Sequence, residues 1–279
     1  MKRRDGAADR KGIMTRIHTS STVDPRAELE EGVEIGPYCV VEGRVKIGAG
    51  TRLLHHVSLR GPMEVGRNNT FHPFACLGGA PQHRGYDPEL DGAGTIIGDD
   101  NVFRESFTLN RASKEVPTTV GHRNYFMANA HVGHDSIVGN DCTLANCAAL
   151  AGHVVVGDSV FLAGNSGVHQ FCRVGRLAMI GAAAIIVQDL TPFCMCYTSR
   201  AVGSLNLVGL RRAGLREHIK PLNRAFEVLF RERHATPHAV ALIEREQAGD
   251  VLVKEMLEFV RGTRRGITGA EMNGEERAD

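Results

Sequence analysis

The stretch that decides the fold is residues 132–156, which read VGHDSIVGNDCTLANCAALAGHVVV. Every sixth position holds a large aliphatic side chain, at Val132, Val138, Leu144, Leu150 and Val156. Helices repeat about every 3.6 residues and strands about every 2, so a strict period of six fits neither as one continuous element. It fits short strands joined by tight turns, with the same turn geometry used each time.

The same step of six extends over most of the chain. From Ile17 to Ile186 it lands on a large apolar residue at 26 positions. The phase is lost twice, across residues 78–96 and across residues 110–119. We interpret these breaks as two loops that leave an otherwise regular coil. Long loops in a regular solenoid are more often functional than accidental.

A repeat of six residues is the pattern of hexapeptide parallel β-helices, which are all-β solenoids. Three hexads make one coil, so residues 18 apart stack at the strand spacing of about 4.8 Å. Glycine often follows the apolar position, and we expect these glycines to supply turn dihedrals that other residues avoid. They are Gly36, Gly48, Gly66, Gly98, Gly121, Gly133, Gly139, Gly157, Gly175 and Gly181.

These patterns divide the chain into four segments. They are a disordered N-terminal extension, the solenoid, a helical segment and a charged tail, at residues 1–16, 17–204, 205–262 and 263–279. Within the tail, GAEMNGEERAD at residues 269–279 is expected to be disordered. After a first helical stretch, Thr236 and Asp250 carry the signals that begin two further helices, and Gly262 ends the last. A helical segment can cover the open end of a solenoid, where the last coil would otherwise expose backbone edges.

Composition excludes several classes of protein. The 33 basic and 32 acidic residues give a formal net charge of +1, so no strongly basic face predicts a nucleic-acid partner. No apolar run approaches the roughly 20 residues that span a membrane. The seven cysteines form no CxxC pair. We therefore expect reduced thiols and a cytoplasmic location.

Polar residues concentrate in NAHVGHD at residues 129–135. With 18 residues per coil, His134 and Gly152 share a column with Gln170, and Asp135 and His153 share the next. These histidines could be solvated corner residues, zinc ligands as in trimeric γ carbonic anhydrases, or a general base oriented by an aspartate. Recurrence on successive coils argues against simple solvation, and the large helical segment argues against the zinc family. The sequence therefore favours a general base.

Four motifs in register closely resemble those of the UDP-N-acetylglucosamine O-acyltransferases. They are NAHVGHD, LANCAALAGHV, VHQFCRVG and LNLVGLRR, at residues 129–135, 144–154, 168–175 and 205–212. The resemblance runs from Ile17 to Arg264. Many acyltransferases share a hexapeptide repeat, but the HxxHD, AGH and HQF motifs in register are specific to this family.

The resemblance implies a homotrimer of left-handed β-helices with active sites between neighbouring subunits. Such an enzyme moves a 3-hydroxyacyl group from acyl carrier protein to the glucosamine 3-hydroxyl of UDP-N-acetylglucosamine, the first step of lipid A biosynthesis. The thioester of acyl carrier protein is the donor substrate, so no cofactor and no metal are expected.

By motif match, His134 is the general base, Asp135 assists it, and the backbone N–H of Gly152 binds the developing oxyanion. The implied substrate-binding residues are Gln82, His83, His131, His153, Gln170, Asn206 and Arg212. The implied residues of the acyl-chain pocket are Ala182 and Arg200. Arg211 is expected on the surface that meets acyl carrier protein.

Three positions depart from the usual family pattern. His83 stands where an aspartate contacts the sugar, Ala213 where a second arginine is common, and Ala182 where long-chain enzymes have glycine. We expect these changes to leave the chemistry intact, with a hydroxyl acceptor and a shorter acyl chain than in the long-chain enzymes. The alternative is a related hexapeptide acyltransferase that acts on a 3-amino sugar nucleotide. A non-catalytic solenoid is disfavoured, because His134 and Gly152 are both present.

Overall fold

The computed structural model is a left-handed parallel β-helix followed by a helical segment, as the hexapeptide pattern predicted. The structure describes residues 14–197, 201–247 and 249–270. Arg200 lies outside the described residues, as do residues 1–13 of the predicted extension and residues 271–279 of the predicted tail.

Three parallel sheets form the walls of the coil, and we call them A, B and C in the order in which each coil visits them. The strands of sheet A are Arg16–Ile17, Glu34–Ile35, Arg52–Leu53, Thr70–Phe71, Val102–Phe103, Tyr125–Phe126, Thr143–Leu144, Phe161–Leu162, Met179–Ile180, Cys194–Cys196 and the antiparallel Ser204–Leu205. Those of sheet B are Thr22–Val23, Val40–Glu42, Ser58–Arg60, Cys76–Gly79, Thr108–Asn110, His131–Val132, Ala149–Leu150, Gly167–Val168 and Ile185–Ile186. Those of sheet C are Glu28–Leu29, Val45–Ile47, Met63–Val65, Thr95–Ile97, Thr118–Val120, Ile137–Val138, Val155–Val156 and Arg173–Val174.

The hexad positions point into the coil and form its core. Val132 pairs with Leu150, and Leu150 with Val168, so residues 18 apart stack as predicted. These three side chains are 0%, 0% and 3% exposed. On sheet A, Phe71 and Phe126 stack on either side of Phe103, with ring centroids 4.8 and 5.1 Å apart. Burial of one apolar residue from each wall on each coil is what stabilises strands of only two or three residues.

The glycines that follow the hexad positions have a different role from the one predicted. None of the ten has a positive φ; the left-handed conformation falls two residues later, on Gly50 after Gly48 and on non-glycine residues such as Asp135 and Asp141 in the other nine cases. A Cβ on Gly133 would lie 2.7 Å from the carbonyl carbon of Ala151 on the next coil, and one on Gly139 would lie 2.9 Å from that of Gly157. These glycines are needed because successive coils approach closely, not because the turn requires their dihedrals.

Two loops leave the coil between paired strands. Residues 80–94 connect sheet B to sheet C on one coil, and residues 111–117 make the same connection on the next. The ladder continues underneath them, since Leu77 pairs with Leu109 and Leu109 with Val132. Both loops therefore lie at the corner between sheets B and C.

The helical segment consists of α1 (Leu207–Arg212), a 3-10 turn (Arg216–His218), α2 (Ile219–Phe230), α3 (Thr236–Gln247) and α4 (Val251–Arg261). The first helical stretch is broken after α1, where Gly214 adopts φ +78°. Asp250 caps α4 by accepting from the backbone N–H groups of Leu252 and Val253. The helical segment packs on the last coils, and a salt bridge between Arg176 of the coil and Glu255 of α4 joins the two.

The beginning of the predicted disordered tail is structured. Gly269–Ala270 forms a short parallel strand with Ala201–Val202, and Thr268 is 1% exposed. Asp189 explains this order, because its carboxylate accepts from the Thr263 hydroxyl and its backbone carbonyl accepts from the Thr268 N–H. The charged composition of this segment concealed these backbone contacts.

Candidate active site

The predicted catalytic residues meet at the corner between sheets B and C on two successive coils, and Phe171 lies at the same corner of the next coil. The backbone N–H of His153 donates to the carbonyl of His134 at 2.9 Å, and that of Phe171 donates to Gly152 at 3.2 Å. These bonds join each coil to the next at the turn. Asp135, His153 and Phe171 all have φ values of 59–64°. Residues at the equivalent turn position of other corners of the coil share this conformation, so it does not distinguish the site.

His134 and Asp135 form a hydrogen-bonded dyad. Nδ1 of His134 lies 2.5 Å from Oδ2 of Asp135. Asp135 is an acceptor when ionised, so Nδ1 carries the proton and Nε2 of the neutral ring keeps a free lone pair. The side chain of His134 is 21% exposed and that of Asp135 is 5% exposed. The dyad therefore presents a basic nitrogen at the surface and keeps its carboxylate covered.

The 111–117 loop fixes the carboxylate of Asp135. Oδ1 accepts from the backbone N–H groups of Ser113 and Lys114 at 3.0 Å each, and Oδ2 accepts from the Ser113 hydroxyl at 2.6 Å. Burial raises the pKa of Asp135, but hydrogen bonds from Ser113, His134 and Lys114 outweigh it and hold the pKa below its ordinary value. The carboxylate is ionised at neutral pH and can stabilise an imidazolium on His134.

Two further histidines lie beside the dyad. His131 is held on sheet B by a contact of 2.8 Å between its Nδ1 and Oγ1 of Thr108. The His153 ring stacks on Phe171 at 4.6 Å and meets the His134 ring edge-on at 5.2 Å. Burial lowers the pKa of both His131 and His153, and the neighbouring His134 lowers each further. For His153 the Asp135 carboxylate, 3.6 Å from its Nε2, offsets part of this shift, and its pKa still lies below the ordinary value. The neutral form of both rings is therefore favoured at pH 7.

Gly152 lies directly beside the His134 ring. A Cβ added at Gly152 would be 2.7 Å from both Cε1 and Nε2 of that ring, closer than real Cβ contacts come. Within the described part of the chain, the backbone N–H of Gly152 forms no hydrogen bond. The corner thus places a free backbone donor next to the free nitrogen of a basic side chain, which is the pairing that acyl transfer requires.

A metal ion was the competing interpretation of this cluster. His134, Asp135 and His153 each offer a ligand atom, and these atoms lie within 4.8 Å of one another. However, Asp135 is already engaged by the second loop and by Nδ1 of His134. A metal ion bound through this carboxylate would have to compete with those hydrogen bonds. The arrangement favours proton transfer, and the expectation of no resident metal stays a prediction.

The other predicted site residues are spread over the molecule. Gln82 and His83 are exposed on the 80–94 loop, and Gln170 is exposed at the same corner as the histidines. His169, its neighbour, is also exposed. Ala182 lies on a different corner, between sheets A and B, and is exposed.

The predicted nucleotide contacts lie where the helical segment begins. Asn206 caps α1 by accepting from the Gly209 N–H, and its amide donates to the carbonyl of Leu177. It is 8% exposed, so its amide has a structural role within the protomer. Arg212 is exposed at the end of α1. Their predicted contacts with a nucleotide stay predictions.

Sequence reasoning missed the residues that support the dyad. Ser113 and Lys114 lie in a break of the repeat, where the column rule cannot assign neighbours. Thr118, whose Oγ1 accepts from the backbone N–H of Asp135 at 2.8 Å, follows that break. Phe171 could have been found, because it lies 18 residues after His153 and thus one coil above it.

Known proteins support the assignment of the fold and indicate the family. A sequence model described as domain 2 of UDP-N-acetylglucosamine O-acyltransferase matches residues 189–268. Two proteins named acyl-[acyl-carrier-protein]–UDP-N-acetylglucosamine O-acyltransferase, from Thermodesulfovibrio yellowstonii and Halorhodospira halophila, are each 40% identical to this chain. Each alignment covers 91% of this chain and 99% of the relative.

Solved structures agree. The UDP-N-acetylglucosamine O-acyltransferase of Moraxella catarrhalis is 32% identical and superposes with a TM-score of 0.85, over 90% of this chain and 99% of that one. The UDP-N-acetylglucosamine acyltransferase of Francisella novicida is 32% identical with a TM-score of 0.86, over 92% of this chain and 95% of that one.

Proposed function

Because the chain belongs to the UDP-N-acetylglucosamine O-acyltransferase family, we propose that it transfers a 3-hydroxyacyl group from acyl carrier protein to the glucosamine 3-hydroxyl of UDP-N-acetylglucosamine. This reaction begins lipid A biosynthesis. The observation that carries the proposal is the dyad of His134 and Asp135, with the free N–H of Gly152 beside it.

The reaction is a direct attack. Nε2 of His134 takes the proton of the sugar 3-hydroxyl while its oxygen bonds to the thioester carbonyl carbon. The N–H of Gly152 donates to the carbonyl oxygen as it becomes an oxyanion, and Asp135 stabilises the imidazolium. Collapse of the tetrahedral intermediate breaks the carbon–sulfur bond, and His134 returns the proton to the leaving thiolate. A positioned base and one oxyanion donor are each worth roughly a hundredfold or more in rate.

The surrounding residues would bind the nucleotide sugar. His131 keeps Nε2 for the sugar or diphosphate, because its Nδ1 contacts Oγ1 of Thr108, and His153 can offer its Nδ1, because its Nε2 lies 3.6 Å from Oδ2 of Asp135. Gln170 and Gln82 supply further amide groups, and Arg212 can fork onto a phosphate. Arg211, also exposed at the end of α1, would face the acidic surface of acyl carrier protein.

The acceptor is proposed to be a hydroxyl rather than an amine. Nδ1 of His83 accepts from the backbone N–H of Gly85 at 3.2 Å, so the neutral ring presents an Nε2–H donor to the substrate. A donor suits the lone pairs of a sugar oxygen, and it contributes no negative field to attract the ammonium form of a 3-amino sugar.

A homotrimer is proposed because one wall leaves the site open. The His134 and His153 side chains are 21% and 26% exposed, and Phe171 is 52% exposed although its ring stacks on His153. A second wall from a neighbouring copy would cover these rings and enclose a nucleotide sugar. Light scattering that finds a monomer at working concentration contradicts this arrangement.

A cytoplasmic location is proposed from the thiols. The seven cysteines form no disulfide with one another, although the coil brings many residues close together. Cysteines left out of disulfides fit a reducing compartment. In the described part of the chain, no helix is long and apolar enough to cross a membrane.

Mass-spectrometric product analysis tests the proposal. The protein would be offered UDP-N-acetylglucosamine or its 3-amino analogue, with a mixed pool of 3-hydroxyacyl carrier proteins. We expect the ester product to form faster than the amide. We also expect shorter acyl chains than in the long-chain enzymes, because Ala182 adds a methyl group to the predicted groove. Preference for the amino sugar would support the alternative acceptor, and no acyl product with either sugar would refute the proposal.

A further inference from the structure

Arg111 is the largest fully buried side chain in the described part of the protein, with 0% exposure. It lies at the start of the 111–117 loop, and its guanidinium reaches under the 80–94 loop. Nη1 donates to the carbonyl of Gly78 at 3.0 Å, and Nη2 donates to Pro88 at 2.6 Å and to Leu90 at 2.7 Å. Nε donates to Leu90 as well, at 3.1 Å.

A buried cation normally needs an acidic partner. Among the described residues, no carboxylate forms a salt bridge with Arg111; its contacts are backbone carbonyls and the ring of Tyr86 at 5.9 Å. Nε, Nη1 and Nη2 reach three carbonyls between them, and the planar fork of arginine supplies donors to all three at once. Lysine has a single nitrogen, and an apolar residue would leave the buried carbonyl of Gly78 without this donor and would release the carbonyl of Pro88.

The loop that Arg111 holds is the loop that carries Gln82 and His83. Asn110 adds a second anchor, since its amide donates to the carbonyl of Ala80 at 2.9 Å. Two residues after Arg111, Ser113 holds the carboxylate of Asp135. One short segment therefore fixes the sugar-side loop at one end and the catalytic carboxylate at the other.

We propose that Arg111 is a positioning residue that holds the 80–94 loop in the conformation that binds the nucleotide sugar. The inference rests on the function proposed above, because it assigns substrate contacts to Gln82 and His83. Arg111 is fully buried and acts through the loop, so its loss weakens sugar binding more than it slows the chemical step. Loss of Ser113 slows the chemical step more than it weakens sugar binding, because Ser113 acts through Asp135.

Steady-state kinetics and limited proteolysis test the proposal together. We expect Arg111→Met to raise KM for UDP-N-acetylglucosamine about tenfold with a smaller change in kcat, the pattern of lost uniform binding. Ser113→Ala should lower kcat and leave KM nearly unchanged. Trypsin should cut the Arg84–Gly85 bond about tenfold faster in Arg111→Met, because cleavage of an exposed loop follows its open population. The KM and the cleavage rate of Arg111→Lys should lie between those of Arg111→Met and those of the wild type.

Arg123→Met is the matched control, because Arg123 forms an exposed pair with Asp141 on another corner of the coil. It should change neither KM nor cleavage at Arg84. Wild-type KM and wild-type cleavage in folded Arg111→Met would overturn the proposal. If both Arg111 variants fail to fold, Arg111 is a core stabiliser and the proposal is wrong.

Failure of the proposed function can be told apart from these outcomes. In that case the wild-type protein would form no acyl product, while the proteolysis comparison would remain measurable.

Discussion

Two columns of stacked polar residues run along this solenoid, one inside the coil and one at its surface. The inner column lies at the corner between sheets C and A and includes Asn69, Asn101 and Asn124, which are 0%, 0% and 1% exposed. The surface column lies at the corner between sheets B and C and contains His134 and Gly152. Both columns repeat once per coil. They differ in whether their polar groups form hydrogen bonds within the protein.

In the inner column the asparagine side chains form hydrogen bonds to the neighbouring coils. The Asn101 amide donates to Oδ1 of Asn69 at 3.0 Å and to the carbonyl of Gly121 at 2.9 Å, and its Oδ1 accepts from the backbone N–H of Asn124. The surface column instead keeps Nε2 of His134 and the N–H of Gly152 available. A stacked polar column stabilises the fold when its groups are paired internally, and it can carry chemistry when two complementary groups stay free.

The largest effect is expected from removing the base of the surface column. His134→Ala should lose at least about 10²-fold in turnover, because a positioned general base contributes that much or more. Its melting temperature should stay close to that of the wild type, since His134 is partly exposed. Turnover is measured with UDP-N-acetylglucosamine and acyl carrier protein thioester, and folding by circular dichroism. Turnover near that of the wild type would refute the mechanism.

Breaking the inner column should have the opposite outcome. Asn101→Ala removes the partners of the half-buried carbonyl of Gly121 and the buried N–H of Asn124, at a cost of about 2–5 kcal/mol in the free energy of unfolding. Activity per folded molecule should be unchanged. Urea unfolding measures the loss, with the exposed Asn146→Ala as control. A catalytic defect in folded Asn101→Ala would show that the two columns are not independent.

Two buried threonines sharpen the rule about pairing. Thr51 belongs to the inner column; its hydroxyl donates to the carbonyl of Gly66 and accepts from the N–H of Asn69. The hydroxyl of Thr95 is the buried side-chain polar atom without a partner in the described part of the chain. Thr51→Val should cost about 1–3 kcal/mol, whereas Thr95→Val should be neutral or stabilise slightly. Equal losses in thermal unfolding would contradict the rule.

The smallest expected effect is on the pH dependence of stability. The pKa of His131 lies below its ordinary 6.5 because of burial, so the unfolded chain binds protons first as the pH falls. Stability should therefore decrease as the pH drops below about 7 and level off once the folded-state pKa is passed. His131→Asn should flatten this part of the curve of melting temperature against pH, while Asn101→Ala should leave its shape unchanged. A steeper curve of melting temperature against pH for His131→Asn would contradict this prediction.

Much of the fold could be read from particular residues. The step from Val132 to Leu150 to Val168 requires stacked coils, and the columns of His134 and Asp135 follow from it by counting. The same counting could not separate Asn101 from His134, because a period of six does not say which corner positions point inwards. It also assigned the wrong role to Gly133, whose constraint comes from a neighbouring coil rather than from its own turn.

The sequence by itself determined the coil, the stacking of the histidines and the family, because each depends on a spacing that local geometry repeats. Only the tertiary structure decided what holds the site in place. Ser113 fixes Asp135, and Arg111 fixes the 80–94 loop, from positions where the repeat is interrupted. Hydrogen bonds from an irregular loop depend on where its backbone lies in space, and no periodicity in the chain encodes that path.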